Sequence, residues 1–134
     1  MFPPDLDMVT SSYHRCLHSE EFLDTFYKQF LVKSDEIAEK FRLTDFTRQK
    51  RMLRQSLLMM VMFNRDPEGG TEDMNKLAER HNRRGVNIPP HLYDLWLDSL
   101  CEAVALHDEE YTAELANNWR AAMRAGIDFL ISKY

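Results

Sequence analysis

The chain has 134 residues, of which 44% are hydrophobic and 29% charged. This is the balance of a folded domain rather than a disordered chain, and the length suits one domain over residues 1–134. Its 17 basic and 22 acidic side chains leave a net charge of −5, which argues against a general nucleic-acid binder. The longest apolar run, Leu57 to Phe63, is well short of the ~20 residues that span a bilayer.

The N-terminal MFPPDLDM has no basic segment leading into an apolar core, so no secretory leader is expected and the cytoplasm is the expected location. Pro3 and Pro4 precede the first periodic run, in which Val9, Tyr13, Cys16 and Leu17 share a helical face. Leu23, Phe26, Tyr27, Phe30 and Leu31 repeat that spacing, with Ser19 as the expected N-cap. Ser34 then caps DEIAEKF, whose acids fall in the first turn. A longer helix starts near Thr47 and carries Leu53, Leu57, Met60, Val61 and Asn64 on one side.

Pro67, Gly69 and Gly70 read as a connection, and Thr71 as the cap of a helix with Met74, Leu77, Ala78 and His81 on one face. Gly85 is its expected stop. Pro89 and Pro90 open the next helix, with a stripe of Leu92, Leu95, Trp96, Ser99, Leu100, Ala103 and Val104. The last helix presents Leu115, Trp119, Ala122, Met123, Gly126, Ile127, Leu130 and Ile131. No segment shows strand alternation with hairpin turns. The expectation is an all-α fold of about seven unequal helices, a crossed-helix globule rather than a symmetric bundle. Cys16 and Cys101 fall in apolar patterns without a CxxC partner and are expected as buried thiols.

Three residues invite a chemical reading. His81 extends the stripe of Met74, Leu77 and Ala78. It is either a satisfied core histidine or an axial metal ligand whose second nitrogen bonds a carbonyl near Leu77. Tyr27 sits on an inward stripe, as a core tyrosine or as a donor inside a pocket. Gln49 precedes Leu53 by one turn on the same side. Other patterns are weaker. His14 and His18 are spaced for a metal clamp but lack a third ligand. There is no HExxH, GxSxG, P-loop or GxGxxG. The methionines at 52, 59, 60 and 62 read as core filling.

Taken together, FYKQFLVKSDEIAEKF, then QKRML, then LAERHNRRGV followed by IPPHLY resemble the globin family. The likeness is to single-domain bacterial globins and to the haem domain of flavohaemoglobins, from about Ser11 to the end of the last helix. It implies the globin arrangement around one haem b, with iron held by His81. Phe41 matches the phenylalanine that stacks on the haem, Tyr27 and Gln49 the distal pair, and Leu53 the apolar residue beyond them. Leu57, Leu77, Val86, Tyr93 and Trp96 are expected in the wall, and Arg80, Arg83 and Arg84 beside the haem propionates or simply in solvent.

The activity implied is reversible dioxygen binding at a five-coordinate ferrous haem, with other diatomic ligands also bound. Nitric oxide dioxygenation or weak peroxidase activity is left open, the former needing an external reductase. No membrane or nucleic-acid partner is expected, and a homodimer is left open. Two alternatives stand beside this reading: a haem-based gas sensor or partner-binding module, and a haem-free globin-like interaction domain. The chain also departs from flavohaemoglobins. No reductase domain is expected beyond the globin segment, and Tyr134 stands where their last helix carries a glutamate. The connection from His81 to Tyr93 is about two residues longer, by this alignment of motifs.

Overall fold

A computed structural model describes residues 3–134. Seven helices follow in order: α1 (Leu6–Leu17), α2 (Phe22–Leu31), α3 (Asp35–Lys40), α4 (Phe46–Arg65), α5 (Pro67–His81), α6 (Leu92–His107) and α7 (Ala113–Ser132). No strand occurs among the described residues, and no helix is long and apolar enough to cross a membrane.

Short polar side chains start most of these helices by taking the first free amide protons. Asp5 accepts from the Met8 amide at 3.0 Å, Ser34 from Ile37 at 3.2 Å and Thr112 from Leu115 at 3.1 Å. Asp45 accepts from Thr47 and Arg48, so α4 begins at Phe46, one residue before the expected start. The expected Ser19 cap is not formed. α2 begins after Glu21 without a side-chain cap, and Ser19 contributes only its carbonyl, to the Phe22 amide.

The expected Thr71 cap is also corrected. Pro67 occupies the first turn of α5, where its missing N–H costs no helical bond, and Asp66 accepts from Gly69 at 3.1 Å. Gly69 and Gly70 are therefore helical, and Thr71 turns its hydroxyl back to the Pro67 carbonyl. α5 ends at His81, before Gly85, because Asn82 turns the chain and accepts from the Arg84 and Gly85 amides. Pro89 and Pro90 form the turn ahead of α6, their carbonyls accepting from Leu92 and Tyr93.

α2 packs on α6, α4 on α5 and α7, and α1 on α7. Phe22, Phe26, Leu57, Met74, Leu97, Leu100, Trp119 and Met123 are fully buried at the centre, each contributing about 1.5–3 kcal/mol of hydrophobic stabilisation. At the α4–α7 crossing, a Cβ on Gly126 would lie 2.8 Å from Met60 Cε. The absent side chain is what lets the two helices approach. A polar network ties α1 to the C-terminal end of α6 and the first half of α7. Trp119 Nε1 donates to Ser12 Oγ at 2.9 Å, and Ser12 donates to buried Asp108 at 2.6 Å. Both cysteines are free and buried. Met60 is buried as expected, whereas Met62 is exposed on the solvent side of α4.

Candidate functional site

Six helices and the connection before α6 surround a mainly apolar cleft that encloses a cavity of about 100 Å³. α4 forms one wall. Gln49, Met52, Leu53, Ser56 and Met60 line the cleft at three- and four-residue steps, a single helical face that runs about 16 Å at 1.5 Å per residue. α2 contributes Phe26, Tyr27 and Phe30, α3 contributes Ile37 and Lys40 with Phe41 just past its end, and α5 contributes Leu77 and His81. Ile88, Leu92, Tyr93, Trp96, Ile127 and Leu130 complete the lining.

His81 Nδ1 lies 2.8 Å from the carbonyl oxygen of Leu77, one turn earlier. A carbonyl only accepts, so Nδ1 carries the proton and Nε2 keeps its lone pair. Burial lowers the ring's proton affinity below the ordinary value of 6.5, and the charge of Arg80 adds to this; the Leu77 bond opposes both. The imidazole is therefore neutral at neutral pH, the state a metal ligand requires.

Tyr27 is 95% buried, with its hydroxyl 3.5 Å from the Gln49 backbone oxygen, a long and weak bond. Burial pushes the phenol up to about 12, with Gln49 working in the opposite direction, so the hydroxyl keeps its proton at neutral pH. The ring is held edge-on by Phe41 at 5.9 Å and by Phe46 at 5.3 Å between centroids. The half-buried Gln49 lines the cleft with Tyr27.

Eight residues singled out from the sequence therefore meet in one cleft: His81, Phe41, Tyr27, Gln49, Leu53, Leu77, Tyr93 and Trp96. Leu57 is not among the lining residues; it is buried in the core. Val86, expected in the wall, is 60% exposed. The reason is local. The Val86 amide bonds the Arg80 carbonyl and the Ile88 amide bonds the His81 carbonyl. Between them Asn87 takes a left-handed conformation, φ 56°, which asparagine tolerates better than most residues. Ile88 then lines the cleft in place of Val86.

Arg80 and Arg84 are exposed and lie outside the lining. Arg83 covers the ring of Tyr134 at 4.6 Å, and Tyr134 donates its hydroxyl to Asn87 at 2.6 Å rather than to His81. Lys40 was missed by the sequence reading. Its only signal was its place beside Phe41 at the end of a short helix.

The comparisons with known proteins agree with this geometry. No protein-family model and no curated protein matches the chain. Among solved structures, it is similar to a Pseudomonas aeruginosa PAO1 protein described as structurally highly homologous to a human hemoglobin. The two share 42% identity over 96% of this chain and 97% of that one, with a TM-score of 0.92. Seven helices packed around a cleft that a half-buried histidine lines fit a globin, and the chain belongs to the globin family.

Proposed function

We propose that the chain holds one haem b in this cleft and binds dioxygen or another diatomic ligand reversibly. The observation that carries the reading is the His81 ring. Its Nδ1–H is committed to Leu77 and its neutral Nε2 is left as a donor within the cleft. The residues present fit the group. An elongated apolar cleft, a neutral imidazole and aromatic rings from α2 and α3 are what a flat, hydrophobic metalloporphyrin needs. About 100 Å³ between these side chains is left unfilled, space that larger residues would take up in a haem-free domain.

When bound, haem supplies an iron whose sixth position takes the diatomic ligand. His81 would hold that iron from the α5 side. Phe41, Leu53, Leu77 and Trp96 would flank the macrocycle and exclude water. Tyr27 O–H and the Gln49 amide are the donors available to a polarised ligand, each bond worth about 1 kcal/mol or more in a dry site. The Leu77 bond is to a backbone carbonyl rather than to a carboxylate, so it adds little negative charge to the ring. This favours ligand binding over peroxidase chemistry, and nitric oxide oxidation with an external reductant is a secondary use of the cleft. The test is titration of the haem-free chain with haem, followed by absorbance. One equivalent should bind to the parent chain, and His81→Ala should lose the bound spectrum. Equal uptake with an unaltered spectrum in the variant would overturn the assignment.

A further inference from the structure

Among the described residues, Lys40 is the only lysine, arginine, aspartate or glutamate that lines the cleft. It closes α3 beside Phe41 and is half-buried. The acids of its own helix that lie within reach are engaged by other groups. Glu36, one turn back, meets His91 at 2.7 Å, and Glu39 meets Arg42 at 3.3 Å. Lys33, Lys50 and Lys76 each pair with a carboxylate. No such pair engages Lys40 among the described residues.

A lone ammonium on an otherwise uncharged wall selects the ligand that complements it. That ligand is mostly apolar and carries an anionic group on one edge. Resting on the haem reading above, we propose that Lys40 holds a carboxylate of the porphyrin. It would thereby fix which edge of the macrocycle faces the α3 side of the cleft. The arginines at 80 and 84 are exposed outside the lining and do not share this role. The resemblance in sequence pointed to those arginines; the structure points to Lys40.

The experiment compares haem with haem dimethyl ester, which has the same macrocycle without free carboxylates. Both are titrated into the haem-free parent chain, Lys40→Met, Lys40→Arg and Arg84→Met. The expected result is a loss of about tenfold in haem affinity for Lys40→Met, with little change for the ester. Lys40→Arg should retain most of the haem affinity, and Arg84→Met should behave as the parent chain. Circular dichroism of each variant checks that the helices are intact. Equal losses for haem and ester would make Lys40 a packing residue and overturn the proposal. A matching loss in Arg84→Met would assign the effect to overall charge, with the same consequence. Failure of the parent chain to bind either porphyrin would overturn the haem reading itself, an outcome distinct from both.

Discussion

His81 and Leu77 are tied by a 2.8 Å hydrogen bond from the imidazole Nδ1 to the backbone oxygen one turn earlier. The bond fixes the tautomer, and burial keeps the ring neutral. Stability should therefore depend on pH in a defined direction. Below 6.5 the unfolded chain protonates this histidine, while the folded chain resists until its own lowered value is reached. The contribution is complete above the unfolded value and is lost as pH falls through the folded one. Urea midpoints of the haem-free chain should fall on acidification from pH 7, and His81→Gln should flatten that slope. An unchanged slope would contradict a neutral ring held in the cleft.

Tyr27→Phe removes the hydroxyl that points to Gln49 across 3.5 Å. So long a bond contributes little to folding, and the unfolding midpoint should hardly move. If the hydroxyl donates to a bound ligand, dioxygen release should accelerate about five- to tenfold, the equivalent of one hydrogen bond of about 1 kcal/mol or more. Stopped-flow displacement by carbon monoxide measures this. The phenol holds its proton until about pH 12, so the parent release rate should be flat from pH 6 to 9 as far as Tyr27 controls it.

Asp108 is the fold's most exacting polar group. Its side chain is fully buried and accepts from Ser12, from Arg15 at 2.6 and 3.0 Å, and from the Glu110 amide. Burial works to raise its carboxyl, but the Arg15 and Ser12 bonds outweigh it and hold it below the ordinary 3.8. Asp108→Asn should cost about 2–4 kcal/mol, because Arg15 and Ser12 lose a charged partner inside the protein. Denaturant unfolding reads the loss. None of these residues lines the cleft, so haem affinity under folding conditions should change much less.

Tyr134→Phe tests the connection beside His81. The hydroxyl bond to Asn87 is lost, while the ring remains available to Arg83. Amide exchange at Asn87 and Ile88 should speed up by about tenfold, a local effect of about 1 kcal/mol. Exchange in α1 and α2 should stay as it was. Equal protection throughout would show that the backbone bonds to Arg80, His81 and Asn82 hold the connection without Tyr134.

The helices were legible because apolar spacing alone places Phe26, Leu53, Leu77 and Trp119 inward, and all four are buried. Their ends were less so. Thr71 competes as a cap with Asp66, and only the fit of Pro67 into the first turn decides between them. The His81–Leu77 bond followed from helix geometry, since a side chain reaches the carbonyl of the preceding turn. Val86 failed for the opposite reason. No spacing rule reveals that Asn87 will take a positive φ and exchange Val86 for Ile88. Lys40 escaped notice because a lone lysine gains meaning only when three-dimensional packing gives its neighbouring acids to His91 and Arg42.

The most direct measurement is a visible spectrum of the haem-reconstituted chain when oxidised, reduced, and reduced under carbon monoxide. Haem held by His81 with its other side open to a ligand requires a strong Soret band that moves on reduction and moves again with carbon monoxide. No stoichiometric haem uptake, or a reduced spectrum indifferent to carbon monoxide, would contradict ligand binding between His81 and the Tyr27–Gln49 pair.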